Sequence, residues 1–382
     1  MLRAGGWIAA RPRTFGRPAT PALHGVVRFV LSTISRVNRS RRWAIGDSLG
    51  GMDLDVRPVD PDDEAALGAR HAVAAAATAH DVPDFPPLCP VRFAGQLRVP
   101  GRSHSRRSWL GYLDGEPAGV LDLLLPLRDN LGSGHLEVYV APAHRRRGVG
   151  RVLYTLAIDA ARRDGRVRLT SETVSAPPAG APRDPAGAAF ARAMGAGEAL
   201  VEVRRRLHLT TADLDAPATP GYSVVYWHDV APDDHLADLA RLDRSLEADA
   251  PHGDLVVEVP EADGGRIRDE MEAHVARGER SYHAAVRHDA TGALVAWTIL
   301  GLEPTVADHA WQFLTVVDPA HRGHRLGLAV KLANLRYALG HEPALRVIDT
   351  WNAAANRHMI AINEALGFRP VDVWSKWQHE FH

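Results

Sequence analysis

The sequence predicts a mixed α/β fold built as two tandem copies of one unit, and three observations carry that prediction. Leu136 to Gly150, LEVYVAPAHRRRGVG, returns at Phe313 to Gly327 as FLTVVDPAHRGHRLG. Each stretch is an apolar strand-like run, then Pro-Ala-His-Arg, a basic loop with glycine, and a helical pattern. The order of strand and helix patterns around the first stretch recurs around the second, on either side of a polar, Pro-containing segment at 211–221. With 382 residues, 46% hydrophobic and 24% charged, the chain is long and apolar enough for two ordinary cores. A strand, a basic loop and a helix N-terminus together form an anion site, because loop N–H groups and the helix dipole converge on a phosphate. A phosphorylated ligand is the first functional inference.

In chain order, Asp53 to Val59 reads as a strand, and Pro61-Asp62-Asp63-Glu64 opens a helix to Ala79 with acids in its first turn. Pro-rich Asp81 to Pro90 reads as a loop. Ser108 to Leu113 and Ala118 to Leu127 are strands around the turn Asp114-Gly115-Glu116-Pro117. His135 to Val140 is a strand, and Gly150 to Arg163 a helix, with Val152, Leu153, Leu156, Ala157 and Ala160 at helical spacing before Asp164-Gly165. A strand at Arg166 to Val174, a helix at Ala186 to Met194 and a strand at Ala199 to Leu209 complete the copy. After the linker come a strand at Tyr222 to Val230, helices at His235 to Ala248 and Gly264 to Arg277, and strands at Ser281 to Val286, Ala293 to Leu302 and Ala310 to Val317. A helix at Leu326 to Leu339, a strand at Arg346 to Thr350, a helix at Ala355 to Leu366 and a strand at Pro370 to Glu380 follow. The expected domains are therefore 52–210 and 222–382.

The net charge of -1 gives no footprint for nucleic acid or an acidic membrane. The average hides a basic leader: residues 1–51 carry nine arginines against Asp47. That leader reads as a flexible or targeting arm, or as sequence upstream of a start at Met52, and little ordered structure is expected there. One cysteine, Cys89, excludes an internal disulfide and a cysteine-based metal cluster, which fits a reducing cytosol. Apolar runs such as Val120 to Leu125 are too short to span a bilayer.

At the two repeated stretches a resemblance becomes specific. Both units resemble the GNAT acyltransferase fold, and the region from about 53 to 382 is similar to tandem-GNAT proteins of the actinobacterial type, distantly similar to mycothiol synthase. The GNAT signature is Arg/Gln-x-x-Gly-x-Gly/Ala between a strand and a helix, and Arg145-Arg146-Arg147-Gly148-Val149-Gly150 matches it fully. The resemblance implies that this loop binds the pyrophosphate of acetyl-CoA, with Val138, Tyr139 and Val140 on the preceding strand beside the cofactor arm. In the second copy the corresponding residues are Arg322-Gly323-His324-Arg325-Leu326-Gly327, after Thr315, Val316 and Val317. Arg325 stands where the first glycine belongs, a position that favours permissive backbone angles. It either adds a guanidinium to the phosphate site or blocks it, and Gly323 is a candidate for the permissive role.

The same resemblance implies a pantetheine arm lying as a pseudo-strand between parted strands, with Asn352 and Asn356 beside it; helix capping alone also accounts for such asparagines. The implied chemistry is attack of an amine on the acetyl thioester, which needs a proton acceptor, an N–H donor for the oxyanion and a proton for the departing thiolate. The oxyanion donor is expected near Val317 or Val140. Many relatives supply the acid from a tyrosine where this chain has Asn363, which cannot give up a proton. Gln312 lies on the central strand where a base is expected but cannot ionise, and Glu303, Asp308 and Asp349 are weaker candidates, more simply solvated charges. His144 and His321 lack metal-ligand spacing and read as loop polar groups; no metal is expected. Arg204-Arg205-Arg206 reads as an edge or exposed face. Trp297, Trp311, Trp351, Trp374 and Trp377 read mostly as core, with one or two walling an acceptor pocket.

The leading expectation is an acetyl-CoA-dependent N-acetyltransferase acting on a small-molecule amine, with the chemistry in the C-terminal copy. The alternative, motivated by Arg325 and Asn363, is a CoA-binding sensor or scaffold without turnover. Acceptor loops such as Asp81 to Arg107 and Asp249 to Gly265 carry no readable motif.

Overall fold

The structure, a computed structural model, describes residues 43–44, 53–177, 180–209 and 219–381. The basic leader, apart from the backbone of a two-residue strand, and most of the 211–221 linker lie outside these residues. In chain order come β1 (Trp43–Ala44), β2 (Leu54–Pro58), α1 (Glu64–Asp81), α2 (Pro90–Arg98), β3 (His104–Leu113), β4 (Glu116–Pro126), β5 (Ser133–Val140), α3 (Val149–Arg163), β6 (Arg168–Ser175), α4 (Ala186–Ala193) and β7 (Gly197–His208). The second copy repeats the order with β8 (Tyr222–His228), α5 (Leu236–Asp249), α6 (Gly264–Ala276), β9 (Arg280–His288), β10 (Leu294–Leu302), β11 (His309–Val317), α7 (Leu326–His341), β12 (Val347–Ala353), α8 (Arg357–Ala365) and β13 (Arg369–Glu380). Helix α2 was hidden in a segment read as loop: Pro90 sits at its first turn, but its nine residues bury little beyond Phe93 and Gly95.

Local chemistry explains most boundaries. Asp63 caps α1 by accepting from the Ala66 N–H, and Asp263 caps α6 by accepting from Gly265. The β3–β4 hairpin turns at Asp114 and Gly115, both at positive φ (54° and 88°), as a tight primed turn requires. One face of the first copy's sheet packs Leu121, Leu123 and Leu136 against Leu153, Leu156 and Ala157 of α3. The second copy does the same with Leu300, Ile348 and Leu335 of α7.

The two copies are not separate sheets. Among the described residues the thirteen strands form one sheet in the order β1-β2-β3-β4-β5-β6-β13-β7-β12-β11-β10-β9-β8. From β2 to β8 the order is palindromic, with β1 added at one edge, because the copies exchange their last strands: β13 lies beside β6 of the first copy, and β7 beside β12 of the second. The exchanged strands pair with each other at the centre.

That centre overturns the exposed-edge reading of Arg204 to Arg206. Arg204 is fully buried, donating to Asp372 (2.9 and 2.6 Å), Asp349 (3.0 Å) and Asp84 (3.2 Å). Arg206 makes two 2.7 Å bonds to Asp349. Asp349 is thus no solvated base candidate. Burial alone would raise its carboxyl, but the Arg206 and His309 hydrogen bonds and the charges of Arg206 and Arg204 hold it well below the usual range.

Arg204→Ala leaves Asp349 and Asp372 buried with a partner missing, and should cost about 3–5 kcal/mol, read as a lower urea midpoint at unchanged m. Because the Asp349 pKa is depressed on folding, its contribution is present above its unfolded value and is lost as pH falls below about 4. Acid unfolding of Asp349→Asn should be correspondingly less steep.

Candidate functional site

Both repeated stretches fold alike. β5 ends in a one-turn 3-10 helix at Pro142–His144, and β11 in one at Pro319–His321. Each loop then has two residues at positive φ: Arg146 (63°) and Gly148 (86°) in the first copy, Gly323 (87°) and Arg325 (57°) in the second. The backbone course is the same while glycine and arginine have traded places. Arg325 therefore keeps the left-handed geometry that glycine adopts more easily, and Gly323 takes the matching position of Arg146. The first intrahelical bonds are Val152 N–H to Gly148 O and Ala329 N–H to Arg325 O. The three N–H groups before each, at Val149 to Arg151 and Leu326 to Leu328, have no partner within the helix, which suits an anion.

The leading arginine of each motif is a strut. Arg145 donates to both oxygens of Asp81 (2.7 and 2.8 Å), to Asp184 (3.1 Å) and to the Val140 carbonyl (3.2 Å). Arg322 pairs with Asp249. Asp81 and Asp249 both end the first long helix of their copy, so each arginine ties the loop to that helix. His80, Asp81 and Asp184 place ligand atoms within 4.8 Å of one another, but the Arg145 guanidinium already occupies both aspartates. Arg147 pairs with Asp114 (2.7 Å), and His324 packs on Tyr222.

The expected parting of strands is present twice. β5 and β6 pair in parallel only at Ser133–Arg168, Gly134–Leu169 and His135–Thr170. β11 and β12 pair only at His309–Val347, Ala310–Ile348 and Trp311–Asp349. Beyond those vertices the facing edges have no strand opposite, leaving two wedges whose open ends lead to the anion loops. The side chains of Val138 and Val140 pack into the α3-side core and that of Tyr139 into the α1–α2 side, where burial pushes its hydroxyl well up. Only their backbone edge is left for a cofactor arm. In the second copy Val316 is core, Thr315 bonds Thr298 (2.8 Å), and Val317 packs beside Gly327.

The vertices differ. At the C-terminal vertex Phe85, from the Pro-rich loop after α1, stacks among Trp311, Trp374 and Trp351 at 5.2, 5.9 and 6.4 Å. Asp349 beside it is held by the Arg204 and Arg206 network. Glu303 is also buried, accepting from the Cys89 N–H and Arg92 (3.2 Å each). Asp308, still exposed, uses its carbonyl to accept from Arg346 and Val347 N–H. Trp297 is core beside His283, and Trp377 donates to Thr173. At the N-terminal vertex the structurally equivalent positions are His135 and Thr170, bonded to each other at 3.1 Å. They line a cavity of about 270 Å³ with Glu172, Lys376 and Leu255 to Val257 of the other copy. The loop that plugs one vertex and the loop that roofs the other are symmetry partners.

Gln312 and Asn363 are occupied. β11 carries a bulge between Gln312 and Thr315 that β5 lacks. The Gln312 amide fills it, donating to Thr298 Oγ1, Ile299 O and Leu314 O at 2.7–2.9 Å. Asn363 lies fully buried between Asn352 (2.6 Å) and the Lys331 amine (2.7 Å), which burial lowers to about 7. Asn356 caps α8 by accepting from the Met359 N–H. Sequence reasoning missed His135, Thr170 and Glu172. The available signal was the vertex comparison itself, His135 against Trp311 and Thr170 against Asp349, but the one-residue bulge shifts that alignment.

The family model described as "Acetyltransferase (GNAT) family" matches residues 76–179, within the first copy. A tandem GNAT protein from the clavulanic acid biosynthesis pathway, solved without AcCoA, is similar at 35% identity and TM-score 0.76, covering 86% of this chain and 98% of that one. A GCN5-related N-acetyltransferase from Sphaerobacter thermophilus has TM-score 0.61 at 15% identity over 86% and 95% of the two chains. The glucosamine N-acetyltransferase region of a fungal multi-domain GH3 β-N-acetylglucosaminidase has TM-score 0.60 at 13% identity, over 87% of this chain and 39% of that one. These last two speak for the fold. No curated protein sequence matches.

The traded residues predict opposite signs. Arg325→Gly should raise stability by up to about 1 kcal/mol by relieving left-handed strain, less the entropy glycine loses. Gly148→Ala should lower it by about 1 kcal/mol, and paired thermal melts read both.

Proposed function

Because the chain belongs to the GNAT acetyltransferase family, as a member with two such units, we propose that it transfers an acetyl group from acetyl-CoA to an amine at the N-terminal wedge. The observation that carries this reading is the contrast between the vertices: His135 and Thr170 face a cavity, whereas Trp311 and Asp349 face Phe85 and two arginines. The geometry thus favours the copy opposite to the one expected from tryptophan content and the asparagine-rich helix.

In this reading the N–H groups of Val149 to Arg151 and the left-handed loop hold the pyrophosphate of acetyl-CoA. The free edge of β5 from Leu136 to Val140 pairs with the pantetheine arm and supplies the oxyanion donor. The acetyl carbon then lies at the vertex. The acceptor nitrogen forms a C–N bond as the C–S bond breaks, its proton passing to His135, directly or through water, and the thiolate leaves protonated or takes a proton from solvent. Thr170 orients the imidazole through the 3.1 Å contact to Nδ1, leaving Nε2 for the substrate.

One observation favours a second role for the other copy. It retains the anion loop, the wedge and, through its bulge, an unpaired ladder residue, yet its vertex is filled. A C-terminal copy that binds CoA without turnover accounts for all of these.

Placing a carboxylate in one cradle at a time separates the copies. Gly150→Asp and Gly327→Asp each put an acid in the first turn of a helix, where its charge opposes phosphate; the added Cβ meets Phe190 and Val140 at 3.5 Å in the first and Ile362 at 3.3 Å in the second, so a thermal melt of each variant accompanies the assay. Thiol release from acetyl-CoA should fall at least about 100-fold in Gly150→Asp and stay within about threefold in Gly327→Asp; the reverse would return the chemistry to the C-terminal copy. His135→Gln should lower kcat by about 10²–10⁴-fold with the KM for acetyl-CoA unchanged.

A further inference from the structure

The N-terminal cavity does not end at the vertex. A second chamber of about 260 Å³ adjoins it, sharing His104, Pro126 and Asn130 in its walls, and its far side is built from the other copy: Asp243 and Glu247 of α5, Arg266 and Glu270 of α6. Its charge is unbalanced. Arg266 is committed to Asp243 at 2.6 Å. Lys376, in the wall of the first chamber, is committed to Glu202 and Glu172 at 3.2 and 3.6 Å. Arg128 pairs with Asp263 at 2.7 Å. Among the described residues Glu247 and Glu270 have no salt-bridge partner, and burial raises both carboxyls. Burial likewise lowers the His104 imidazole, so it brings no compensating charge at neutral pH. Ser103, only 7% exposed, lines the same chamber and turns its hydroxyl toward Glu270 without completing a hydrogen bond of normal geometry. A buried, unmet hydroxyl and two partly buried acids without a salt-bridge partner are groups that a ligand's N–H donors would satisfy.

We propose that the joined chambers are the acceptor site and that they select small dicationic amines. One amino group lies at His135 and Thr170, where acetyl transfer is placed; the second cationic group, ammonium or guanidinium, lies against Glu247 and Glu270. The site is then shared: the first copy supplies the reacting end and the second the selecting end. This inference rests on the N-terminal wedge being the transfer site.

The test uses the full chain and three ligands of one length: 1,5-diaminopentane, pentylamine and 5-aminopentanoate. Calorimetry without acetyl-CoA should find the diamine bound about tenfold or more tighter than pentylamine, with 5-aminopentanoate weakest. Glu247→Gln and Glu270→Gln, both isosteric, should each weaken diamine binding about five- to tenfold and leave pentylamine unchanged. Pentylamine or 5-aminopentanoate binding as tightly as the diamine, no diamine binding, or equal losses for both amines in the variants would overturn the proposal. The ligand comparison in the unaltered protein stands without either variant. Glutamate-dependent diamine binding with no acetylated diamine formed would sink the transferase reading, and with it the acceptor role. Acetyl transfer to other amines, with diamine binding indifferent to the glutamates, would sink this inference alone.

Discussion

A β-strand can turn away from one neighbour only if something else satisfies its other edge. Here that condition is met by exchange. β6 diverges from β5 after three pairs because its far edge is paired along its whole length with β13, and β12 diverges from β11 because β7 holds it in the same way. The wedges, and any cofactor arm they admit, therefore depend on each copy lending its last strand to the other. The Arg204 cluster sits where the loaned strands meet, which is why three charges are tolerated at zero exposure there.

Topological symmetry does not make the copies chemically alike. The segment after α1 and the segment after α5 occupy matching places over the opposite copy's vertex. One presents Phe85 and acids that meet arginines; the other presents Leu255 to Val257 over open space. A few side chains thus decide which vertex is a pocket and which is a joint. The C-terminal joint buries Trp311 and Trp351 against Phe85, and aromatic contacts of this kind add packing energy where the other copy keeps room for a ligand.

Much of the fold was legible because hydrophobic period and turn chemistry are local. The strand and helix boundaries follow Asp-Gly, Leu-Gly-Phe and the acid-capped helix starts to within a few residues. The cradle was legible for the same reason, since its glycine and basic residues lie within one short stretch. What could not be read was non-local. Exchange of β7 and β13 leaves each copy's element order unchanged, so no pattern within a copy reveals it. Arg204 to Arg206 look like an exposed run until the strand is placed at the centre of a sheet, opposite Asp349 and Asp372. Gln312 looks like a catalytic position until the bulge shows its amide capping backbone oxygens. His135 reads as one polar residue in a strand, because the cavity it lines is closed by a roof contributed by residues more than a hundred positions away.

The position of β13 also bears on how the protein is made. Residues 369–380 insert between β6 and β7, so the first copy's sheet stays unfinished while some 170 further residues are synthesised after β7. At ordinary elongation speeds that interval is on the order of 10–30 s, during which the outer edge of β6 has no strand beside it. Such an edge is a template for unwanted pairing. The first copy therefore reaches its native strand order only once the second copy's last strand has been made, and a chaperone that shields bare strand edges would matter more for this protein than for two beads folding one after the other.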